Sequence, residues 1–283
     1  MTEPPPSAAR PRASWADLGP RLISAAILIA VIATVLHFGG YVFAVATGIV
    51  FGLTYREWEQ MVTLKPIGPF GVGLAALVAL SAAAFPMFGW GGTVGLIVLA
   101  ALASIVVGPV GLAYWRSAGL IFLGAVIIAV LSMRGIDVSG VTAGWFLGLV
   151  IGMNDTGAYF TGRVVGGEKL APDISPAKTW SGAIGGWVIG TATGVVFWII
   201  FSGSPWWIGL LLAAAMGLIG QIGDLSESAI KRRFRIKDSG DIIPGHGGLM
   251  DRLDSVTFGA LFLFAVGFLH GGWGHIAAGF LRW

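Results

Sequence analysis

The stretch Gln221 to Asp254 reads QIGDLSESAIKRRFRIKDSGDIIPGHGGLMDRLD and interrupts an otherwise apolar chain. It holds six of the 14 carboxylates and six of the 17 Lys and Arg residues. Ionisable groups are costly near lipid, so this concentration of charge indicates a functional site. The simpler interpretation is a solvated loop between two membrane spans, whose basic residues follow the positive-inside rule.

Helical spacing orders the first part of this stretch. A helix over residues 208–233 brings four polar side chains to one face, at i, i+3, i+4 and i+7: Asp224, Glu227, Ser228 and Lys231. If a helix begins at Leu249, Asp251 and Asp254 are also one turn apart. The PGHGG between the two helices is too rich in Gly and Pro for a helix, and such backbone can offer N–H groups to phosphate. Carboxylates beside a basic, Gly-rich loop suit Mg²⁺ and a polyphosphate.

The composition of the remaining chain decides the fold class. Hydrophobic residues make up 56% of the 283 residues and the mean hydropathy is +0.85, values typical of a membrane protein. Cysteine is absent, which excludes disulfides and thiol chemistry. We predict an all-α, polytopic membrane protein with about nine transmembrane helices. A disordered cytoplasmic tail over residues 1–20 precedes a single transmembrane catalytic domain over 21–283.

The distribution of basic residues predicts the orientation of the chain. With the N-terminus inside and nine spans, 15 of the 17 Lys and Arg residues face the cytoplasm, and only Arg134 and Arg282 do not. The charged stretch then lies in the cytoplasm, where nucleotides are. The basic excess is explained by such loops and by anionic lipid, and we find no module that reads nucleic acid.

The charged stretch also resembles a known signature. Its fixed positions run Ser228-x-Ile230-Lys231-Arg232, Lys237-Asp238-x-Gly240 and Ile243-Pro244-Gly245-His246-Gly247-Gly248-Leu249-x-Asp251-Arg252-Leu253-Asp254. This pattern is similar to that of the phosphatidate cytidylyltransferases, also called CDP-diacylglycerol synthases. The resemblance extends upstream to Asn154-Asp155, the segment SPAKTWSG at 175–182, and Gly223-Asp224. The N-terminal half agrees only in its hydropathy.

The resemblance implies a nucleotidyltransferase of phospholipid biosynthesis. It would transfer the cytidylyl group of CTP to phosphatidate and form CDP-diacylglycerol and pyrophosphate. The family uses Mg²⁺, is thought to use a monovalent cation such as K⁺ beside it, and is dimeric. We therefore expect a homodimer in a bacterial-type inner (plasma) membrane, with the active site on the cytoplasmic side.

The site residues follow from the motif and from the chemistry together. Asp224 and Asp251 are predicted to be catalytic as the metal ligands. The predicted catalytic phosphate contacts are Lys231, Arg232 and Lys237. The predicted substrate-binding residues are Asn154, Asp155, Ser175, Lys178, Thr179, Ser228, His246, Gly247, Gly248 and Arg252. The predicted supporting carboxylates are Glu227, Asp238 and Asp254. Thr179 is also a candidate helix cap. Glu57 and Glu59 are expected to be interfacial, with Arg56 and Glu59 forming a local pair.

Two alternatives remain open at this point. One is another membrane transferase that uses a nucleotide or a polyprenyl phosphate. An alcohol phosphotransferase would need a clustered Asp motif that the sequence lacks. The other is a secondary transporter of an anionic substrate, for which broken helices and charge at membrane depth are typical. The clustering of charge at one cytoplasmic end and the lack of an apparent internal repeat argue against transport.

Overall fold

A computed structural model of the chain describes residues 18–240 and 248–283. Ten helices follow one another within these residues: α1 (Leu18–Phe38), α2 (Gly40–Thr63), α3 (Pro69–Ala83), α4 (Phe85–Val106), α5 (Val110–Arg134), α6 (Val138–Val164), α7 (Trp180–Phe201), α8 (Trp206–Arg233), α9 (Met250–Gly271) and α10 (Ile276–Leu281). The predicted fold class, an all-α membrane protein, is confirmed.

The number of membrane spans is less sharply defined than the fold class. Five helices of the described chain are long and apolar enough to cross a membrane: α4, α5, α7, α8 and α9. The described helices α1 to α9 equal the predicted spans in number, and α10 is a short helix of six residues. Nine spans therefore remains a prediction, as does the division into a tail and one domain. The structure begins at Leu18, so most of the predicted tail lies outside the described residues.

A small β-hairpin lies between α6 and α7. Strand β1 (Lys169–Ala171) pairs antiparallel with β2 (Ser175–Thr179), with Lys169 opposite Thr179. The strands are short and β2 contains Pro176, so the residue pattern gives little indication of a hairpin here. The hairpin ends directly at the start of α7 and so fixes the position of residues 178 and 179 relative to that helix.

Two hydrophobic cores build the bundle. One is formed by helices of the N-terminal half and contains Phe51, Tyr55 and Ile127. The other is formed by the C-terminal half and contains Phe146 and Trp198. Val130 on α5 packs against both cores and joins them.

A glycine stripe on α7 brings that helix against the backbone of α6. Gly182, Gly186, Gly190 and Gly194 are four residues apart and therefore share one face. A methyl group on Gly182 would lie 2.9 Å from the carbonyl oxygen of Ala158, and one on Gly190 would lie 2.8 Å from that of Val150. Only glycine permits this approach, as is common in packed transmembrane helices.

Arg134 closes the end of the bundle that lies away from the charged stretch. It ends α5, whose other end is near the charged stretch, because the rings of Trp115 and Phe234 are 5.1 Å apart. The guanidinium is buried and donates to the carbonyl oxygens of Leu36 (2.5 Å) and His37 (3.0 Å) in the last turn of α1. A cation at a helix C-terminus satisfies open carbonyl groups and opposes the helix dipole.

Candidate active site

Helices α8 and α9 carry a cluster of three carboxylates. Asp224, Glu227 and Asp254 each offer an oxygen, and these oxygens lie within 4.8 Å of one another. Gly223 makes the arrangement possible, because a methyl group there would lie 2.8 Å from the carbonyl oxygen of Asp254. The two helices therefore approach closely at this level, and the three residues are called the carboxylate cluster below.

The charges around the carboxylate cluster are incompletely balanced. The Lys178 Nζ lies 2.5 Å from Asp224 Oδ2, and the Lys231 Nζ donates to Asp251 Oδ1 at 2.5 Å. Lys231 is also 3.2 Å from Glu227 Oε2, but outside hydrogen-bonding geometry. Both oxygens of this buried Glu227 carboxylate lack a hydrogen-bond donor among the described residues.

A divalent cation fits this carboxylate cluster. Buried polar atoms are normally hydrogen-bonded, and a buried carboxylate without donors is costly. Carboxylate oxygens are the ligands that Mg²⁺ prefers, and it commonly takes one or two of them and leaves its other positions to water and phosphate. The donor set, and Glu227 oxygens that lie near the Lys231 ammonium but accept no hydrogen bond among the described residues, therefore match a hard divalent ion.

A cavity of about 410 Å³, called the polar cavity below because of the charged and polar side chains in its wall, adjoins the carboxylate cluster on one side. It lies between α6, α7, α8 and the hairpin, and eight of its lining residues are polar: Asn154, Asp155, Tyr159, Arg163, Lys178, Thr179, Gln221 and Asp224. Gln221 Nε2 donates to Asn154 Oδ1 at 3.0 Å, while the Asn154 Nδ2 is buried and has no acceptor among the described residues. The cavity thus contains an ammonium group and a buried amide donor, both suited to an anionic, hydrogen-bonding ligand.

An apolar cavity of about 230 Å³ adjoins the same carboxylate cluster between α2, α5, α8 and α9. Its walls include the aromatic side chains of Trp58, Trp115 and Phe122. Glu227 and Asp254 also line it, whereas Asp224 lines the polar cavity. The carboxylate cluster therefore lies between a polar space and an apolar space.

Asp251 is held by Lys231 and by two backbone N–H groups. It accepts from Lys231, from the backbone N–H of Ser239 (3.3 Å) and from that of Gly248 (3.2 Å). The described structure thus groups Asp224 with Glu227 and Asp254, and it holds Asp251 against Lys231. The predicted pairing of Asp224 with Asp251 at one metal stays a prediction.

The hairpin residues divide between ligand-facing and structural positions. Lys178 and Thr179 line the polar cavity, while Ser175 starts β2 and is not among the lining residues of that cavity as described. The Thr179 Oγ1 accepts from the N–H of Gly182 at 3.1 Å, which confirms the predicted cap of α7. Arg232 donates to the carbonyl oxygen of Ile174 at 3.1 Å and so ties the end of α8 to the hairpin.

The remaining predicted residues differ in their exposure to solvent. Ser228 is half-buried on α8, and Lys237, Asp238 and Arg252 are exposed. His246 and Gly247 lie outside the described residues, so their predicted role in substrate binding stays a prediction.

The comparison with known families agrees with this geometry. A family model described as the cytidylyltransferase family matches residues 19–270. The chain belongs to the cytidylyltransferase family.

Individual relatives match over shorter stretches. The chain is 42% identical over 153 residues to a phosphatidate cytidylyltransferase of Brucella suis, covering 54% of this chain and 57% of the relative. It is 41% identical over 152 residues to one of Bacillus subtilis, covering 52% and 56%, and 47% identical over 112 residues to one of Staphylococcus haemolyticus, covering 39% and 43%. The chain thus spans about half the length of the curated relatives it matches.

Sequence reasoning missed two residues of this cytidylyltransferase-family site. Gln221 on α8 donates to Asn154 and to the carbonyl oxygen of Ala183 (2.9 Å). Its position one turn before Asp224 was the sequence signal that could have identified it. Glu57 contacts the charged stretch directly, although it was expected to be interfacial. Both Glu57 and Glu59 are buried, with 0% and 2% exposure, so that expectation was wrong.

The expected local pair of Arg56 and Glu59 is also wrong. Glu59 instead pairs with Arg116 on α5: the Arg116 Nε donates to Glu59 Oε2 at 2.9 Å, and the Nη2 donates to Oε1. A buried carboxylate requires a buried partner, and the guanidinium provides two parallel donors at once.

Proposed function

We propose that this protein transfers the cytidylyl group of CTP to phosphatidate and forms CDP-diacylglycerol and pyrophosphate. The observation that carries the proposal is the position of the carboxylate cluster between a polar cavity and an apolar cavity. A reaction that joins a nucleotide to a lipid needs a polar and an apolar substrate to meet at one reactive centre. Membership of the cytidylyltransferase family and the names of the relatives support the same reaction.

In this proposal the nucleotide occupies the polar cavity. Lys178 binds its phosphates, and Asn154 uses its free amide N–H to orient it. Gln221 holds Asn154 in place by occupying the amide oxygen. The salt bridge between Lys178 and Asp224 then opens when the triphosphate enters, because the phosphates compete for the ammonium group. A Lys178 contact of this kind supplies charge without requiring a fixed geometry.

The lipid occupies the apolar cavity, where its acyl chains contact Trp58, Trp115 and Phe122. Its phosphate then lies at the Glu227 and Asp254 edge of that cavity. An oxygen of the phosphatidate phosphate attacks the α-phosphorus of CTP in line. The bond from that phosphorus to its bridging oxygen breaks, and pyrophosphate leaves with the bonding electrons. The nucleophile is already anionic, so no strong general base is required, and the protein contributes positioning and charge neutralisation.

Asp224, Glu227 and Asp254 are the residues we propose to hold Mg²⁺. The ion would supply charge neutralisation for the phosphates and for the leaving pyrophosphate. Lys231 balances Asp251 and Glu227 while the site is empty of substrate. Use of K⁺ and formation of a homodimer stay predictions from the resemblance.

Pyrophosphate release from the purified protein in detergent tests the function. With CTP, phosphatidate and Mg²⁺ we expect pyrophosphate and a lipid-linked cytidine nucleotide in equal amounts, and neither product without phosphatidate or with excess EDTA. A second assay replaces phosphatidate with a polyprenyl phosphate. The alternative membrane transferase would release pyrophosphate only with this second acceptor. A secondary transporter would release no pyrophosphate under any of these conditions, and that result would overturn the proposal.

We also propose that the carboxylate cluster faces the cytoplasm of a plasma membrane. Because the chain has no cysteine, single cysteines report sidedness cleanly. Asp173→Cys places one in the exposed hairpin, and Ile136→Cys places one at a site with 95% exposure beside Arg134 at the other end. An impermeant thiol reagent added to intact cells should label position 136 only. Labelling of position 173 alone would reverse the orientation.

A further inference from the structure

Glu57 on α2 is a buried carboxylate that holds the border of the charged stretch. Its Oε1 accepts from the N–H of Leu249 at 2.9 Å, and its Oε2 accepts from the N–H of Met250 at 2.8 Å. The Ser239 Oγ lies 3.3 Å from Oε2 and also donates to it. These contacts connect residues up to 193 positions apart, so one side chain from the N-terminal half binds both sides of the segment 241–247.

The two glycines next to these contacts are packed against the Glu57 carboxylate. A methyl group on Gly240 would lie 2.8 Å from Glu57 Oε1, a distance too short for a Cβ, so a larger residue at 240 would displace the carboxylate. A methyl group on Gly248 would overlap the Ser239 Oγ and lie 3.0 Å from Glu57 Oε2, so a larger residue at 248 would first displace the hydroxyl that donates to Glu57. The two glycines therefore leave room for the Glu57 carboxylate and for the Ser239 hydroxyl that binds it.

The contacts fall on the N-terminus of α9, where backbone N–H groups have no partners within the helix. Leu249 is the N-cap and provides no side-chain cap of its own. Glu57 performs that task from another helix, and its negative charge is favourable at the positive end of the helix dipole. This compensation explains how the carboxylate is tolerated with 0% exposure.

The first turns of α9 carry the acidic residues of the site. Asp251 follows Met250 directly and accepts from the N–H groups of Ser239 and Gly248, so the same two segments are held by Glu57 and by Asp251. Asp254, a member of the carboxylate cluster, lies one turn further along the helix. The direction in which α9 presents both side chains is thus set by the same hydrogen bonds that end at Glu57.

We infer that Glu57 is a positioning residue: it caps α9 from α2 and fixes the orientation of Asp251 and Asp254 toward α8. It contacts no substrate and takes part in no bond-breaking step. The kinetic consequence rests on the proposed cytidylyltransferase activity, whereas the capping of α9 does not.

The kinetic test compares Glu57→Ala and Glu57→Gln in the full-length protein in detergent. Loss of a residue that orients metal-binding groups typically weakens metal use by about 10–100-fold. Glu57→Ala should raise the Mg²⁺ concentration needed for half-maximal pyrophosphate release by that factor. Glu57→Gln keeps one acceptor oxygen and should give an intermediate value.

Glu59→Gln is the matched control, because Glu59 is equally buried on the same helix but faces Arg116. It should lower the thermal midpoint of the protein while leaving the Mg²⁺ requirement of the folded enzyme within about twofold, the scatter expected for a residue with no contact to the site. A merely structural role for Glu57 would give the same pattern as this control.

Hydrogen exchange tests the capping without any substrate. In wild-type protein the amides of Leu249 and Met250 should be protected. In Glu57→Ala the peptide covering 248–254 should exchange faster, and in Glu59→Gln it should not. If the wild type releases no pyrophosphate, the proposed function fails and the exchange measurement still decides the capping. The inference is overturned if Glu57→Ala shows both the wild-type exchange rate in this peptide and the wild-type Mg²⁺ requirement. If the alanine variant does not fold, the same two measurements on Glu57→Gln decide it.

Discussion

Two groups of charged residues in this protein differ in how their charges are balanced. One is the ion pair of Glu59 and Arg116, and the other is the carboxylate cluster of Asp224, Glu227 and Asp254. In the pair, the Nε and Nη2 of one cation donate to the two oxygens of one anion, and the guanidinium also lies 5.1 Å from the ring centroid of Phe70. The side chains retain only 9% and 3% exposure. Every charge there has its partner within the protein.

The charges of the carboxylate cluster are not all paired among the described residues. Three carboxylates are held together, and one of them has no hydrogen-bond donor among the described residues. Two cavities open onto the cluster, whereas Glu59 lines neither of them. The difference teaches that burial of charge is not itself a sign of function. What distinguishes a functional site is a group of like charges that the fold holds together and that a bound ligand or ion can neutralise.

The largest effect should follow from Asp224→Asn. One well-placed electrostatic contact in an active site typically accounts for about 10²–10³-fold in rate, and we expect a loss near the upper end of that range. Stability should be unchanged or slightly higher, because the variant relieves repulsion among three close carboxylates. Pyrophosphate release at limiting Mg²⁺ measures the effect on activity, and the thermal midpoint in detergent measures the effect on stability.

Asp254→Asn and Asp251→Asn then identify which carboxylate of α9 shares the metal with Asp224. If Asp254 does, its variant should raise the Mg²⁺ requirement more than the Asp251 variant, and the double variant with Asp224→Asn should be scarcely worse than Asp224→Asn alone. The reverse order would restore the pairing predicted from the sequence.

Arg116→Met should have the next largest effect, and on stability rather than on turnover. Removing one partner of a buried ion pair leaves an uncompensated charge and costs about 3–5 kcal/mol. We expect a much lower thermal midpoint, with nearly normal turnover per folded molecule. Adding Glu59→Gln should recover most of the loss, because the uncompensated charge is then gone. A double variant as unstable as the single one would contradict the pairing.

Lys178→Gln should weaken nucleotide binding by a smaller factor. A hydrogen bond to a charged group contributes about 1.5–3 kcal/mol, which corresponds to a rise in KM for CTP of roughly 10–100-fold. The KM for phosphatidate should stay constant, since Lys178 lines only the polar cavity. Equal changes in both KM values would show that the two substrates do not occupy separate cavities.

Thr179→Ala should have the smallest effect. Although Thr179 lines the polar cavity, we expect its replacement to change stability more than nucleotide binding. Loss of its cap on α7 costs about 1 kcal/mol of unfolding free energy. We expect a slightly lower thermal midpoint and a KM for CTP that changes far less than in Lys178→Gln. Thr179→Ser keeps the hydroxyl and should behave like the wild type in both measurements.

Local periodicity predicted the helical part of the site well. The face of α8 that carries Asp224, Glu227 and Lys231 follows directly from the 3.6-residue repeat, and the helix after the HGG motif begins within one residue of the expected position. Periodicity could not choose between Asp251 and Asp254, which are one turn apart on the same face. The close approach of α8 and α9 at Gly223 brings Asp254 into the carboxylate cluster, and this approach is a property of packing that the helical repeat does not contain.

Tertiary contacts explain the remaining differences. The rule for neighbouring charges on a helix predicts that Arg56 pairs with Glu59, but this rule holds for solvated surfaces. Burial makes Glu59 require a partner on another helix. The role of Glu57 depends on backbone N–H groups about 190 positions away, for which a side-chain pattern contains no signal.

The Arg134 contact with the end of α1 has a consequence for biosynthesis. The carbonyl groups of Leu36 and His37 precede their cationic partner by 98 and 97 residues. At a translation rate of about 5–20 residues per second, α1 waits roughly 5–20 s before Arg134 leaves the ribosome. During that interval the C-terminus of α1 lacks the guanidinium that completes it, so this contact between α1 and α5 is a late event of folding.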